Sequence, residues 1–123
     1  MSLTTALPFT IEFTTIPNFA DSILEGVFAI GPGVYFDFTG MTFVMNIGTQ
    51  RSYDATPTYL ATITQADGDI TPMSNGVIQF RFRPEKIGTL EQATYKLDLI
   101  ATKDGRQISF AIGKLGIIDR AIA

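Results

Sequence analysis

The chain contains no cysteine, no histidine and no tryptophan. Without cysteine, neither a disulfide framework nor a thiolate metal site can form. Without histidine, the commonest general base and the commonest metal ligand are both gone. Charge is scarce as well: 17% of residues are charged and the formal net charge is −3. An acidic, weakly charged chain is a poor match for phosphate backbones, which are bound mainly through Lys and Arg, so no nucleic-acid partner is expected. Long apolar runs are missing too. The longest largely apolar stretches, Val27 to Ile30 and Met41 to Ile47, fall far short of the roughly 20 residues of a spanning helix, so no membrane partner is expected. Met1-Ser2-Leu3-Thr4-Thr5 has neither a basic nor a long apolar region, which predicts no secretory signal and synthesis in a cytoplasm.

What is present is apolar and β-patterned. The 123 residues fit one domain, with an N-terminal strand or arm over 1–20 and a core over 21–119. A chain of this length hides roughly two thirds of its unfolded surface and needs no covalent staple. With 46% hydrophobic residues and so little charge, some apolar surface is left outside. That favours a homo-oligomer or an obligate partner, the alternative being a monomer with an unusually apolar core.

The dominant period is two. Phe9-Thr10-Ile11-Glu12-Phe13-Thr14 alternates apolar and polar residues, the pattern of a half-buried strand, with Leu7, Phe9, Ile11 and Phe13 inward. Further strands are predicted over Asp21 to Ile30, with Gly26 a candidate bulge, and over Val34 to Phe38, Met41 to Ile47, Tyr59 to Thr64 and Val77 to Arg83. In the last of these Ile78, Phe80 and Phe82 face inward and Gln79, Arg81 and Arg83 outward. Pro84-Glu85-Lys86-Ile87-Gly88 reads as one helical turn, with Pro at its start and Gly closing it. Two strands then flank Lys103-Asp104-Gly105-Arg106, whose Asp-Gly suits the positive φ values of a tight hairpin. Seven or eight short strands at this spacing predict an all-β, antiparallel β-sandwich. Tyr95, following a helical turn at the start of its strand, is a candidate tyrosine corner, which would favour the immunoglobulin-like version; the alternative is an ordinary strand Tyr.

No catalytic set emerges. No serine sits in a Gly-x-Ser-x-Gly elbow or a Ser-x-x-Lys pattern. Asp67-Gly68-Asp69 lacks the oxygens of a calcium loop and reads as a turn. Glu12 and Asp98, the mid-strand acids, fall on the solvent side of their strands. Gly31-Pro32-Gly33 lacks the Lys-Ser/Thr of a phosphate loop. No catalytic, metal or cofactor residue is therefore assigned. The candidate interaction surface consists of the basic residues Arg81, Arg83 and Lys86, suited to solubility or to an acidic partner copy, and of Arg51, Tyr53 and Tyr59 around the polar loop Gly48 to Pro57.

The order of features from Asp37 onward has a parallel. Phe38-Thr39-Gly40-Met41-Thr42-Phe43-Val44-Met45 resembles the "D-L-T-G-a-x-v-x-m" segment of small tail and baseplate proteins of bacteriophages and prophages. Asp69-Ile70, then Gly76-Val77-Ile78-Gln79-Phe80, resembles their "G-x-I-x-l" strand. The turn Pro84 to Leu90, the strand Ala93 to Leu99, the hairpin Lys103 to Arg106 and the closing Gly113-Lys114-Leu115-Gly116-Ile117-Ile118 resemble their C-terminal half. The likeness spans Asp21 to Asp119. Glu91-Gln92-Ala93 departs from the usual Gly-containing approach to the Tyr, and the strand Phe9 to Phe13 has no counterpart. The resemblance implies an immunoglobulin-like sandwich and a non-enzymatic structural or assembly role in a virion tail, as a homo-oligomer or in company with other tail proteins. The alternative function is a carbohydrate- or protein-binding module of a bacterial surface or secreted protein, using Arg51, Tyr53 and Tyr59.

Overall fold

The computed structural model describes residues 8–49 and 59–119. In chain order these form β1 (Phe9–Glu12), β2 (Ile16–Pro17), β3 (Ser22–Val27), β4 (Ala29–Gly31), β5 (Val34–Tyr35), β6 (Thr42–Gly48), β7 (Tyr59–Thr64), β8 (Ile70–Pro72), β9 (Val77–Phe82), the helical turn α1 (Pro84–Ile87), β10 (Ala93–Lys103) and β11 (Arg106–Ile118). The larger sheet runs β1-β11-β10-β6-β7, with β2 also on β11; the smaller runs β3-β9-β8, and β4 and β5 make a short hairpin. One core lies between the two sheets, lined by Phe43, Met45, Leu97, Leu99 and Leu115 from the larger and Ile70, Ile78, Phe80 and Phe82 from the smaller. The protein is an all-β sandwich.

Alternation explains most of this. β6 buries Phe43, Met45 and Ile47, and β9 buries Ile78, Phe80 and Phe82, as period-two patterning predicts. The stretch Asp21 to Ile30 differs from its sequence reading: it divides at the buried Phe28 into β3 and β4. Gly26 is no bulge, since it pairs in regular register with Ile78. Val34 to Phe38 keeps only Val34–Tyr35 as strand, because Phe36 and Phe38 both turn into the aromatic core.

The main irregularity is a bulge in β11. Leu99 pairs with Ala111 but Ile100 pairs with Ser109, so Phe110 is one residue too many for the ladder. A bulge re-aims the side chain it carries. Phe110 and Ala111 are consequently both buried, and Ile112 is left on the outer face. The Phe110 ring lies 5.0 Å from Phe36, 5.2 Å from Phe9 and Phe28, 5.3 Å from Phe43 and 6.0 Å from Phe38, centroid to centroid. Most of these contacts are edge-to-face, the arrangement favoured by ring quadrupoles.

The N-terminal strand is an edge of the larger sheet, β1 running parallel to β11 with Ile11 beside Gly113. A Cβ at Gly113 would overlap the Ile11 carbonyl oxygen, so the close approach of the two strands requires glycine there. Asn18 secures the end of this segment: its backbone N–H donates to Ile118 O, and its side-chain amide donates to Leu90 O at 2.7 Å and Asp119 Oδ1 at 3.0 Å. The hairpin at 103–106 has φ of 53° at Asp104 and 77° at Gly105, the two positive values a tight primed turn needs.

Tyr95 bonds back to the backbone just upstream of its strand. The hydroxyl of Tyr95 donates to the Glu91 carbonyl oxygen at 2.6 Å, and burial raises the pKa of the phenol. Tyr95→Phe is expected to lower unfolding free energy by about 1 kcal/mol in urea titration, and a loss well below that would show the bond to be idle. Phe110→Ala is expected to cost about 3–5 kcal/mol in the same measurement, since it empties the centre of the ring cluster. A small loss there would mean that the core closes over the gap.

Candidate interaction surfaces

The basic residues do not form one surface. β9 ends at Phe82, so Arg83 is not an outward strand residue but the residue that leads into α1. Its guanidinium grips the nearly fully buried Asp69, Nε to Oδ1 at 2.7 Å and NH2 to Oδ2 at 3.0 Å. Such two-pronged pairs are strong and geometrically selective. Arg83 also lies 3.5 Å from Glu85. One helical position on, Lys86 donates to Asp67 Oδ2 at 2.7 Å. Both acids belong to the turn after β7, which is held by Gly68 N–H to Gln65 O and Asp69 N–H to Thr64 O. Arg83 and Lys86 therefore clamp the β7–β8 turn against α1. The Lys86 bond lowers the pKa of Asp67, and the Asp69 bond raises that of Arg83. Arg81 stands apart on the outer face of the smaller sheet, paired with Asp21 at 2.9 Å.

Of the residues around the polar loop, Arg51 and Tyr53 lie outside the described residues. Tyr59 opens β7 at the far edge of the larger sheet, opposite Gly48. With no side chain on Gly48 in the way, its hydroxyl reaches across β6 to donate to Asp98 Oδ2 at 3.1 Å. Burial, and then the carboxylate, raise the pKa of Tyr59. The other Asp98 oxygen is buried and has no hydrogen-bond partner among the described residues. Beside it, Thr62 donates its hydroxyl proton to Asn46 Oδ1 at 3.0 Å. One step along β10, Lys96 sits directly opposite Lys114 of β11, and Lys114 is beside Glu12 of β1.

Sequence reasoning missed the exposed apolar groups. On the smaller sheet Ile23 is 57% and Val27 63% exposed, and Val34 and Tyr35 of the β4–β5 hairpin and Met73 after β8 are about half exposed. Val27, Tyr35 and Met73 gather around Gly76 and Val77: Val27 pairs with Val77, the Met73 N–H donates to Val77 O, and the Tyr35 Cβ lies beside Gly76. An open cleft of about 580 Å³ runs between Tyr35–Thr39 and Pro72–Gly76. At its rim the Thr39 hydroxyl and N–H both bond Asp37 and lower its pKa. The larger sheet exposes Val44, Tyr59, Leu60 and Ile112. A usable signal was present in β3, where Glu25 marks the outward parity and Ile23 and Val27 share it.

Among the described residues no helix is long and apolar enough to cross a membrane, and no group of three or more acids is placed to hold a metal ion. No protein-family model matches the chain, and no curated protein matches it in sequence. Fold and surface together thus define a class: an all-β sandwich whose buried polar groups are largely tied into its own frame and whose outer sheet faces carry apolar side chains.

Two measurements check the clamp. Asp69→Asn is expected to cost about 2 kcal/mol, because Arg83 then lies partly buried without its carboxylate. Asp69→Asn combined with Arg83→Met should cost less than the sum of the two single changes. Strict additivity would show the pair to be uncoupled. For Asp67 the folded pKa is lowered, so its contribution is present above the ordinary carboxyl value of about 3.9 and disappears as pH falls through the folded pKa. The stability gap between wild type and Asp67→Asn should therefore close between pH 6 and pH 2. A gap independent of pH would contradict the Lys86 bond.

Proposed function

We propose that this protein is a non-enzymatic structural or assembly component of a phage or prophage tail, acting by packing against other protein copies. On this reading it is made in a bacterial cytoplasm and resides in the virion, as a component of the tail, the baseplate or a fibre attachment. The observation that carries the packing role is the exposure of large apolar side chains on both outer faces of the sandwich, Ile23 and Val27 on one and Val44 and Ile112 on the other. Large apolar side chains left on an outer face offer area that a second protein surface can bury. The motif resemblance from Asp37 to Ile118 supports the virion setting. The Tyr95–Glu91 bond supports the immunoglobulin-like version of the sandwich.

The polar chemistry points the same way. Arg81, Arg83 and Lys86 are each already paired with an acid of the same chain. Arg83 and Lys86 hold the β7–β8 turn, and Arg81 keeps its pair with Asp21 on the outer face of the smaller sheet. Two observations test the reading. Genes flanking this one should encode tail and baseplate proteins, and a metabolic or cell-wall neighbourhood would reject the virion role. In sedimentation velocity the chain should associate as its concentration rises, and a strict monomer at high concentration would reject packing between copies.

A further inference from the structure

Two outward strand rows, on opposite faces of the sandwich, are complementary. On the smaller sheet, β3 presents Ile23, Glu25 and Val27 in line. Glu25 is exposed, its cross-strand neighbour is the uncharged Gln79, and the nearby Arg81 is already taken by Asp21. An acid is thus set between two well-exposed aliphatic side chains, with no ion pair among the described residues.

On the larger sheet, Lys96 and Lys114 stand directly opposite each other on β10 and β11. Like charges in that position repel and destabilise a sheet. Neither lysine makes an ion pair among the described residues. Glu12 lies beside Lys114 without closing a salt bridge. Asp98, in the adjoining row, has one oxygen on the Tyr59 hydroxyl and the other buried. Ile112, opposite Asp98, is the exposed apolar neighbour. The row therefore carries two lysines that close no salt bridge among the described residues, beside an aliphatic group. A carboxylate placed between the two ammonium groups relieves their repulsion.

We propose that copies of this chain associate front to back, the Ile23–Glu25–Val27 row of one copy seated on the Lys96–Lys114–Ile112 face of the next. The inference rests on the packing role proposed above and names the surfaces that perform it. Charge complementarity selects a second copy as the occupant: the chain itself carries, in Glu25, an acid flanked by aliphatics and free of an ion pair among the described residues, to meet two lysines in the same condition. A polyanion is a weaker fit, since two lysines on a chain of net charge −3 offer little to a phosphate backbone. Because the meeting faces differ, the contact is heterologous. Repetition then builds a ring where the rotation closes and a stack where it does not.

The test is a charge exchange followed by sedimentation velocity on the full chain. Wild type should form species larger than two copies as concentration rises, weakened by salt. Glu25→Lys alone, and Lys96→Glu with Lys114→Glu together, should each weaken association about tenfold or more, as like charges now meet. All three positions are exposed, and unchanged urea midpoints would confirm that the variants fold. An equimolar mixture of the two variant chains should recover assembly, since every contact in an alternating stack is again acid on base. Variants that associate like wild type, a mixture that stays dispersed, or wild-type growth that stops at two copies would each overturn the front-to-back pairing alone. A wild-type chain that never leaves the monomer would overturn it together with the self-packing on which it rests.

Discussion

The sandwich is organised around one extra residue. β10 and β11 form a long hairpin that would be regular but for Phe110, which the ladder cannot pair. Turned into the interior, its ring touches aromatic residues from β1, from the β3–β4 junction, from β6 and from the stretch after β5. Rings pack densely at fixed separations, so their common neighbour sets where these segments sit relative to the larger sheet. The same bulge reverses the parity of the rest of β11. Leu115 and Ile117 are thereby inward, and Ile112 and Lys114 are outward, where they shape the surface.

This explains which features were legible in the sequence. Strands β6, β7 and β9, the turns at Gly33, Gly76 and Gly105, and the single helical turn follow from local pattern and turn chemistry, and each lies where alternation, a Pro-Gly, Asn-Gly or Asp-Gly pair, or Pro84 with Gly88 places it. The bond from the Tyr95 hydroxyl to upstream backbone was readable from Tyr95 and the turn before it. The break at Phe28 and the loss of strand at Phe36 and Phe38 were not. Those residues are apolar in any conformation, and only the ring cluster decides that they leave the ladder. Parity in β11 was hidden too, because a bulge has no obligatory residue type in its bulged form. Among the candidate site residues, outward placement of Arg81 was readable from alternation. The turning of Arg83 and Lys86 onto Asp69 and Asp67 was not, since it depends on two turns meeting in space.

Electrostatics in this protein divide by depth. At the ends of the smaller sheet, cations and acids are matched within the chain and hold turns in place. On the outer faces Arg81 is matched by Asp21, whereas Glu25 on one side and Lys96 with Lys114 on the other close no salt bridge among the described residues. Matched pairs near turns fix conformation, whereas unmatched charges on sheet faces leave attraction available to a neighbour and give it direction. A chain with so few charges spends little of this on solubility alone.

The parallel placement of β1 beside β11 has a mechanical consequence. The first strand enters at Phe9, and the ladder ends where Pro17 meets Ile118, so the entry of one strand and the exit of the other lie at opposite ends of a shared line of hydrogen bonds. Tension drawn between these two ends runs along the strands and loads those bonds together in shear. It cannot peel them one at a time. The tie from Asn18 to Ile118 and Asp119 fastens the far end of the same line. A unit strung into a longer assembly by its two ends would therefore resist stretching through its edge, the part of a sheet that ordinarily gives way first.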